Sequence, residues 1–463
     1  MALIKSISGI RGTIGGVPGE NLTPVDIVKF TAAFITIISG KSKSKTIVIG
    51  RDGRISGKIV STLCSSTILA CGFNVIDLGI TTTPTVEMAV KAESAAGGVI
   101  ITASHNPAEW NALKLLNDQG EFIDASVGND VLDLAEKEEF SFEKVDKLGF
   151  YSCDNSYLKK HIDAVLHYPL VDVKAIRKQQ YKIVVDGINS SGSVYVPALL
   201  RELGVKDVVV INSEMNGIFN HNPEPLPKNL TTLSNEVVQQ KADLGIAVDP
   251  DVDRLCFVCE DGSMFGEEYT LVAVADYVLG KRKGNTVSNL SSTKSLKEIT
   301  IQHGGEYFPS AVGEVNVVEK MKQVNAVIGG EGNGGVIVPD FHYGRDALIG
   351  IGLFLSHLAN SGKSIKKLRS LYPDYVISKN KIPLDKETDV KKLLEKIKDK
   401  YKNQKVNTED GLKIEFDNDW VHLRPSNTEP ILRIYSESNF ETTAENIAKK
   451  IISDIQEELN VQK

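Results

Sequence analysis

Cysteine is scarce in this chain. Its five residues among 463 (Cys64, Cys71, Cys153, Cys256 and Cys259) are odd in number and follow no pairing pattern. A disulfide framework is therefore not expected, and reduced thiols are. Cys256 and Cys259 stand three apart in a run that reads as strand, hence on opposite faces, a poor arrangement for a shared metal. Long apolar runs are also missing. The stretch 30–39 is uncharged but far too short to span a bilayer. Near the start, Lys5, Arg11 and several glycines interrupt anything resembling a secretory leader, so a cytoplasmic location is expected. An excess of positive charge is lacking too. With 53 Lys and Arg against 60 Asp and Glu the net charge is -7, which disfavours general attraction to nucleic acid. No membrane or protein partner is indicated, and an anionic small molecule would have to be held by local arginines against the overall field.

What is present is the composition of a soluble globular protein, 41% hydrophobic and 24% charged. One pattern recurs three times: strand, polar loop, helix, glycine, strand. Thr46-Ile47-Val48-Ile49 leads into the loop 50–54, a helix ending near Ala70, Gly72 and a strand at 73–76. The second copy runs from 181 through a helix ending at Leu203 and Gly204 to 208–211, the third from 285 through a helix near Ile301 and Gly304 to Tyr307. This is a βαβ signature, with glycine as the helix stop. The last segment differs. Val390, Leu393, Leu394, Ile397 and Tyr401 mark one helix face and Ala444, Ile447, Ala448, Ile451, Ile455 and Leu459 another, with a hairpin-like turn at 417–419 between them. The expected architecture is α/β: three similar mixed-sheet domains over 1–150, 151–254 and 255–372, and a smaller α+β domain over 373–463.

Three polar clusters sit where such a fold collects ligands. Thr102-Ala103-Ser104-His105-Asn106-Pro107 follows the apolar run Val99-Ile100-Ile101, which delivers Ser104 just past the carboxyl end of a strand. Alone it also reads as a strand-to-helix turn with Ser or Asn as cap. Asp249-Pro250-Asp251-Val252-Asp253-Arg254 follows a second apolar run. In extended chain alternate side chains share a face, so three carboxylates converge and repel unless a cation sits among them. Carboxylate oxygens suit Mg²⁺. A calcium-binding helix–loop–helix is disfavoured, because Arg254 occupies the slot that needs glycine and 255–258 reads as strand. Arg424-Pro425-Ser426-Asn427-Thr428-Glu429-Pro430, with Arg433 beyond, forms a plausible anion cradle.

Taken together, these clusters make the chain resemble the α-D-phosphohexomutase superfamily, the phosphoglucomutase, phosphomannomutase and phosphoglucosamine mutase group. The resemblance runs from Ser8-Gly9-Ile10-Arg11-Gly12 to the 424–430 loop and includes Gly330-Glu331-Gly332-Asn333-Gly334-Gly335. It implies four domains around a central cleft and interconversion of hexose 6-phosphate and hexose 1-phosphate. Ser104 would carry the phosphoryl group through a hexose 1,6-bisphosphate intermediate. It also implies Mg²⁺ on Asp249, Asp251, Asp253 and a phosphate oxygen of Ser104, and Arg11 and Arg254 on the transferring oxygens. Lys114 would be the general base; without the resemblance it reads as an exposed helix lysine. Glu331 and Asn333 would read sugar hydroxyls, while Arg424, Ser426, Asn427, Thr428 and Arg433 grip the phosphate that is not reacting. His105 is expected to shape the loop.

The chain also departs from the group. Asn333, Gly334 and Gly335 stand where the common bacterial phosphoglucosamine mutases have Ser and Gly-His after the Glu, and Ala112 replaces a frequent Gly. His342 is a candidate replacement for the missing histidine. With Gly344-Arg345-Asp346 following, the loop looks more like the archaeal-type mutases. Glucosamine phosphate is the favoured substrate, ahead of mannose or glucose phosphate. An Mg²⁺-dependent sugar phosphatase and a non-catalytic sugar-phosphate binder are the rivals from other classes.

Overall fold

The computed structural model describes residues 3–6, 9–385, 388–426 and 430–461. The first of its four sheets has seven strands. In spatial order they are Leu3–Ser6, Gly9–Thr13, Trp110–Leu116, Gly97–Ile101, Thr46–Arg51, Asn74–Ile80 and Tyr151–Cys153. The pattern read at 46–76 is observed: the helix Gly57–Ala70 crosses from Thr46–Arg51 to Asn74–Ile80, and the two strands pair in parallel. After residues 102–107 the chain turns back as a strand, not a helix. Trp110–Leu116 pairs antiparallel to Gly97–Ile101, with Lys114 opposite Ile100. Lys114 is therefore buried within a strand, which corrects the alternative reading of an exposed helix lysine.

The second sheet, in the order Leu255–Cys259, Leu244–Val248, Lys182–Asp186, Asp207–Ile211, joins its acidic-loop strand to the next strand as an antiparallel pair. The second sheet therefore continues across residue 254, near which a boundary is expected from the sequence. The reason is local: Val252 has φ +61°, a reversal that returns Leu255 opposite Val248. The third sheet runs Tyr307–Ser310, Asn285–Asn289, Ala326–Glu331, Gly335–Val338, His342–Arg345. The fourth is antiparallel throughout, Val376–Pro383, Ile431–Ser438, Trp420–Pro425, Leu412–Glu415, Lys405–Asn407, backed by the helices Val390–Lys400 and Glu441–Val461. The 417–419 turn joins two of its strands as expected.

The helix Ala347–Ser361 is buried on nearly every side, as an all-round apolar helix must be. It packs against helices of both the second and third units, and Phe354 stacks on Phe257 with ring centroids 3.7 Å apart. One apolar core consequently runs from Ile162 to Tyr372 through both units, whereas the first and fourth units have cores of their own. Among the described residues no helix is long and apolar enough to cross a membrane. The five cysteines are free thiols.

Candidate active site

Strands ending at Ile101, Val248 and Glu331 deliver three loops to one place. Ser104 lies in the first, only 6% exposed, with φ +48°. Its Oγ donates to Asp249 Oδ2 at 2.7 Å, a contact across 145 positions of sequence. His105 Nδ1 stands 3.4 Å from the same Oγ. Burial, together with the charges of Arg254 and Arg11, holds the His105 imidazole well below its ordinary pKa, which keeps it neutral.

Asp249, Asp251 and Asp253 are all buried, with one oxygen from each within 4.8 Å of the others. Asp249 Oδ1 accepts the amides of Asp253 and Arg254, both at 3.1 Å. Lys114 Nζ donates to Asp251 Oδ2 at 2.7 Å and to Asp253 Oδ2 at 3.4 Å, and Thr83 Oγ1 reaches Asp251 Oδ2 at 2.6 Å. Burial pushes the Asp249 carboxyl well above its ordinary pKa, and the neighbouring Asp253 and Asp251 push it further. Burial acts on Asp251 in the same direction, but the Lys114 ammonium outweighs it and holds that carboxyl down. Conversely, Asp251 and Asp253 overcome the burial of Lys114 and raise it to about 12. Asp251 Oδ1 and Asp253 Oδ1 are buried without a hydrogen-bond partner. Unpaired buried carboxylate oxygens are costly, and a hard divalent cation with oxygen ligands, such as Mg²⁺, fits this donor set.

Arginines ring the carboxylates. Arg254 Nη1 donates to Glu224 Oε1 at 3.3 Å, and its Nε lies 3.9 Å from Asp249 Oδ2. Arg11 Nη1 reaches Asn106 Oδ1 at 3.4 Å, and its Nε is buried without a partner. The sequence reading missed the most connected of them. Arg345 donates to Asp253 Oδ2 at 2.7 Å, Glu331 Oε2 at 2.7 Å and Glu314 Oε2 at 2.9 Å, and so joins the acidic loop to the glycine-rich one. The only signal in the sequence was an Arg-Asp pair close after that loop. Glu331 also accepts Asn289 Nδ2 at 2.8 Å, the Gly313 amide at 3.1 Å and Asn333 Nδ2 at 3.3 Å. Both carboxylate oxygens are thus engaged by the protein itself. His342 turns to Asp346 Oδ2 at 3.1 Å and faces Glu87 at 3.4 Å, in an interface that also holds His161.

In the fourth unit Arg424 and Arg433 face each other on paired strands. Arg424 Nε donates to Asp410 Oδ2 at 2.7 Å, and that oxygen also accepts the Val312 amide at 2.9 Å, next to the Gly313 that holds Glu331. The Ser426 amide donates to the Ile431 carbonyl at 3.0 Å. Asn427 and Thr428 lie outside the described residues, as does Ser8.

Four family models match the chain in order: the phosphoglucomutase/phosphomannomutase alpha/beta/alpha domains I (residues 4–142), II (159–262) and III (266–375), and the phosphoglucomutase/phosphomannomutase C-terminal domain (381–453). The chain belongs to this family, within the α-D-phosphohexomutase superfamily, and is accordingly a phosphohexomutase, an intramolecular phosphotransferase of the isomerase class. A phosphoglucomutase/phosphomannomutase of Thermococcus kodakarensis is 37% identical over 440 residues, 94% of this chain and 95% of the relative. A probable phosphoglucosamine mutase of Methanopyrus kandleri is 31% identical, covering 96% of each. The crystal structure of a phosphoglucomutase/phosphomannomutase family protein from Burkholderia thailandensis has the same fold, with a TM-score of 0.84, 24% identity and coverage of 98% of this chain and 97% of that one.

Proposed function

We propose that the chain interconverts hexose 6-phosphate and hexose 1-phosphate through a phosphoryl group carried on Ser104 and a hexose 1,6-bisphosphate intermediate, with glucosamine phosphate preferred. The observation that carries this is the 2.7 Å contact of Ser104 Oγ with Asp249, beside two further buried carboxylates and Lys114. A phosphoryl group on that oxygen would enter a site of acids and arginines. Asp249, Asp251 and Asp253, with a phosphate oxygen on Ser104, would hold Mg²⁺, which supplies positive charge when bound. Phosphoryl transfer passes through a loose transition state, so positioning and charge stabilisation do most of the catalysis. Arg254 and Arg11 have N–H groups to offer the transferring oxygens.

Lys114 would take the proton of the attacking sugar hydroxyl. As it stands it is an ammonium held by Asp251 and Asp253, so it acts as a base only when other positive charge has taken over those carboxylates. Glu331 and Asn333 would meet the sugar hydroxyls by exchanging some of their present partners. Arg424, Ser426, Asn427, Thr428 and Arg433 would grip the phosphate that is not reacting. The bisphosphate turns over between the two anchors, and its second phosphate returns to Ser104. A cytoplasmic setting accords with the free thiols.

The glycine-rich loop and the Methanopyrus relative favour glucosamine phosphate. The 37% identity to a phosphoglucomutase/phosphomannomutase supports mannose and glucose phosphates as the second reading. A phosphatase has no need of the second phosphate grip. Flux measured side by side on glucosamine 6-phosphate, mannose 1-phosphate and glucose 1-phosphate ranks the substrates. Intact mass and peptide mapping locate the phosphate, and full activity of Ser104→Ala with bisphosphate supplied would refute the carrier.

A further inference from the structure

We infer that Arg54 is a positioning residue for phosphoryl transfer: its guanidinium fixes the backbone of the serine loop and, through it, the attitude of Ser104. The inference rests on the proposed role of Ser104 as carrier.

Arg54 is the largest of the fully buried side chains, at 1% exposure, an uncommon place for a guanidinium. Nη1 donates to the carbonyls of Pro107 at 2.7 Å and Trp110 at 2.9 Å. Nη2 donates to the carbonyls of Ser104 and of Asn106, the latter at 2.7 Å. Four carbonyls of one seven-residue turn thus converge on a single planar cation. Its Nε donates to Asp52 Oδ2 at 3.1 Å, which sets the plane. The same Asp52 oxygen accepts Thr102 Oγ1 at 2.7 Å, and Thr102 Oγ1 accepts the Ser104 amide at 2.9 Å. Both peptide groups of Ser104 are therefore tied to one ion pair, the N–H through Thr102 and the carbonyl directly.

These ties matter because Ser104 sits at φ +48°, a region non-glycine residues rarely enter. A loop free to relax would leave it and carry Oγ away from Asp249. The clamp also reads the second unit, which supplies the acidic loop. The Phe219 ring covers the guanidinium at 5.1 Å, and the Gly53 amide donates to Ser190 Oγ at 2.9 Å. Lysine cannot substitute, since a point charge with three donors lacks the planar fork.

The test uses full-length Arg54→Lys, Thr102→Val and Thr102→Ser, each checked by thermal unfolding. Readouts are kcat and KM on the best hexose phosphate, and hydrogen exchange of the peptide spanning 102–110. Arg54→Lys is expected to lose about a hundredfold in kcat, the scale of a one-ångström misplacement, with KM unchanged and serine-loop exchange accelerated. Thr102→Val should follow it, and Thr102→Ser should restore both. If Arg54→Lys does not fold, Thr102→Val against Thr102→Ser decides by the same readouts. A folded variant with wild-type loop exchange, or a loosened loop with wild-type kcat, overturns the inference and leaves the mutase reading intact. Full activity of Ser104→Ala with bisphosphate supplied overturns the carrier reading itself, and the transfer role of Arg54 with it.

Discussion

At the scale of single residues the site is an arrangement of unlike charges none of which stands well alone. Asp249 is the clearest case. Its folded pKa lies above its unfolded one, so its neutral form stabilises the fold at low pH and that contribution is lost as pH rises through the folded value. Asparagine keeps the shape and never ionises. In chelator near neutral pH, Asp249→Asn should therefore be more stable than wild type, because the cost of burying that charge and its repulsion by Asp253 and Asp251 are removed. If the three carboxylates hold Mg²⁺, wild type should gain melting temperature on its addition, and Asp249→Asn should lose that gain and most of the turnover. Wild-type turnover undiminished by chelator would remove the metal from the site altogether. Glu268 gives a second titration. Burial raises it from an ordinary 4.5 to about 8, with Lys379 opposing and Glu267 adding. Between those values the folded chain holds a proton that the unfolded chain has released, so stability should fall as pH rises from about 4.5 to 8. Glu268→Gln should flatten that decline, which thermal unfolding across the range will read.

At the scale of elements, the strands and helices were legible because their cause is local. The recurrent glycine stops at 72, 204 and 304 follow the helices that were read there. The carboxyl-terminal placement of Ser104 and Asp249 followed from apolar runs ending just before them. Lys114 was found only through resemblance, since nothing local distinguishes a lysine facing buried carboxylates from one on a surface. Arg345 and Arg54 escaped for the same reason: each is one arginine most of whose partners are distant in sequence. Near residue 254 strand pairing, not composition, carries the chain onward, since Leu255–Cys259 pairs with Leu244–Val248. The glycine-rich loop has a constraint that its composition announced without locating. Gly334 has φ +88°, and a Cβ there would stand 2.2 Å from the Leu255 carbonyl oxygen. Neither backbone can yield, so Gly334→Ala should cost about 1–3 kcal/mol or more, read by denaturant unfolding. The sugar-phosphate KM should rise in the same variant as Glu331 and Asn333 shift.

At the scale of the whole molecule the fourth unit is tied to the third by several side-chain contacts, one of which leads to the glycine-rich loop. Arg424, Asp410, Val312 and Gly313 make a short path from the expected anion cradle to Glu331. If the cradle holds the non-reacting phosphate, Arg424→Ala loses charge-assisted hydrogen bonds worth roughly 1.5–3 kcal/mol each, or about one to two decades. Forward and reverse flux should fall together, because either phosphate must occupy the cradle in turn, and free bisphosphate should accumulate as it escapes. Unchanged values for all three would refute the role, and release of inorganic phosphate independent of Arg424 would mark a phosphatase.

The continuous core from Ile162 to Tyr372 also limits how such an enzyme can be recombined. A first or fourth unit brings most of its own interior, so one taken from a relative needs matching partners at its junctions, such as the buried Asp249 and Asp251 for the first unit and Asp410 and His422 toward the third unit for the fourth. The two middle units share Phe257, Phe265 and Phe354 in one aromatic cluster, and a crossover between them would set two unrelated halves of one interior against each other. Chimaeras joined near 150 or 375 should express as folded protein, while those joined near 260 should aggregate unless both middle units come from the same parent.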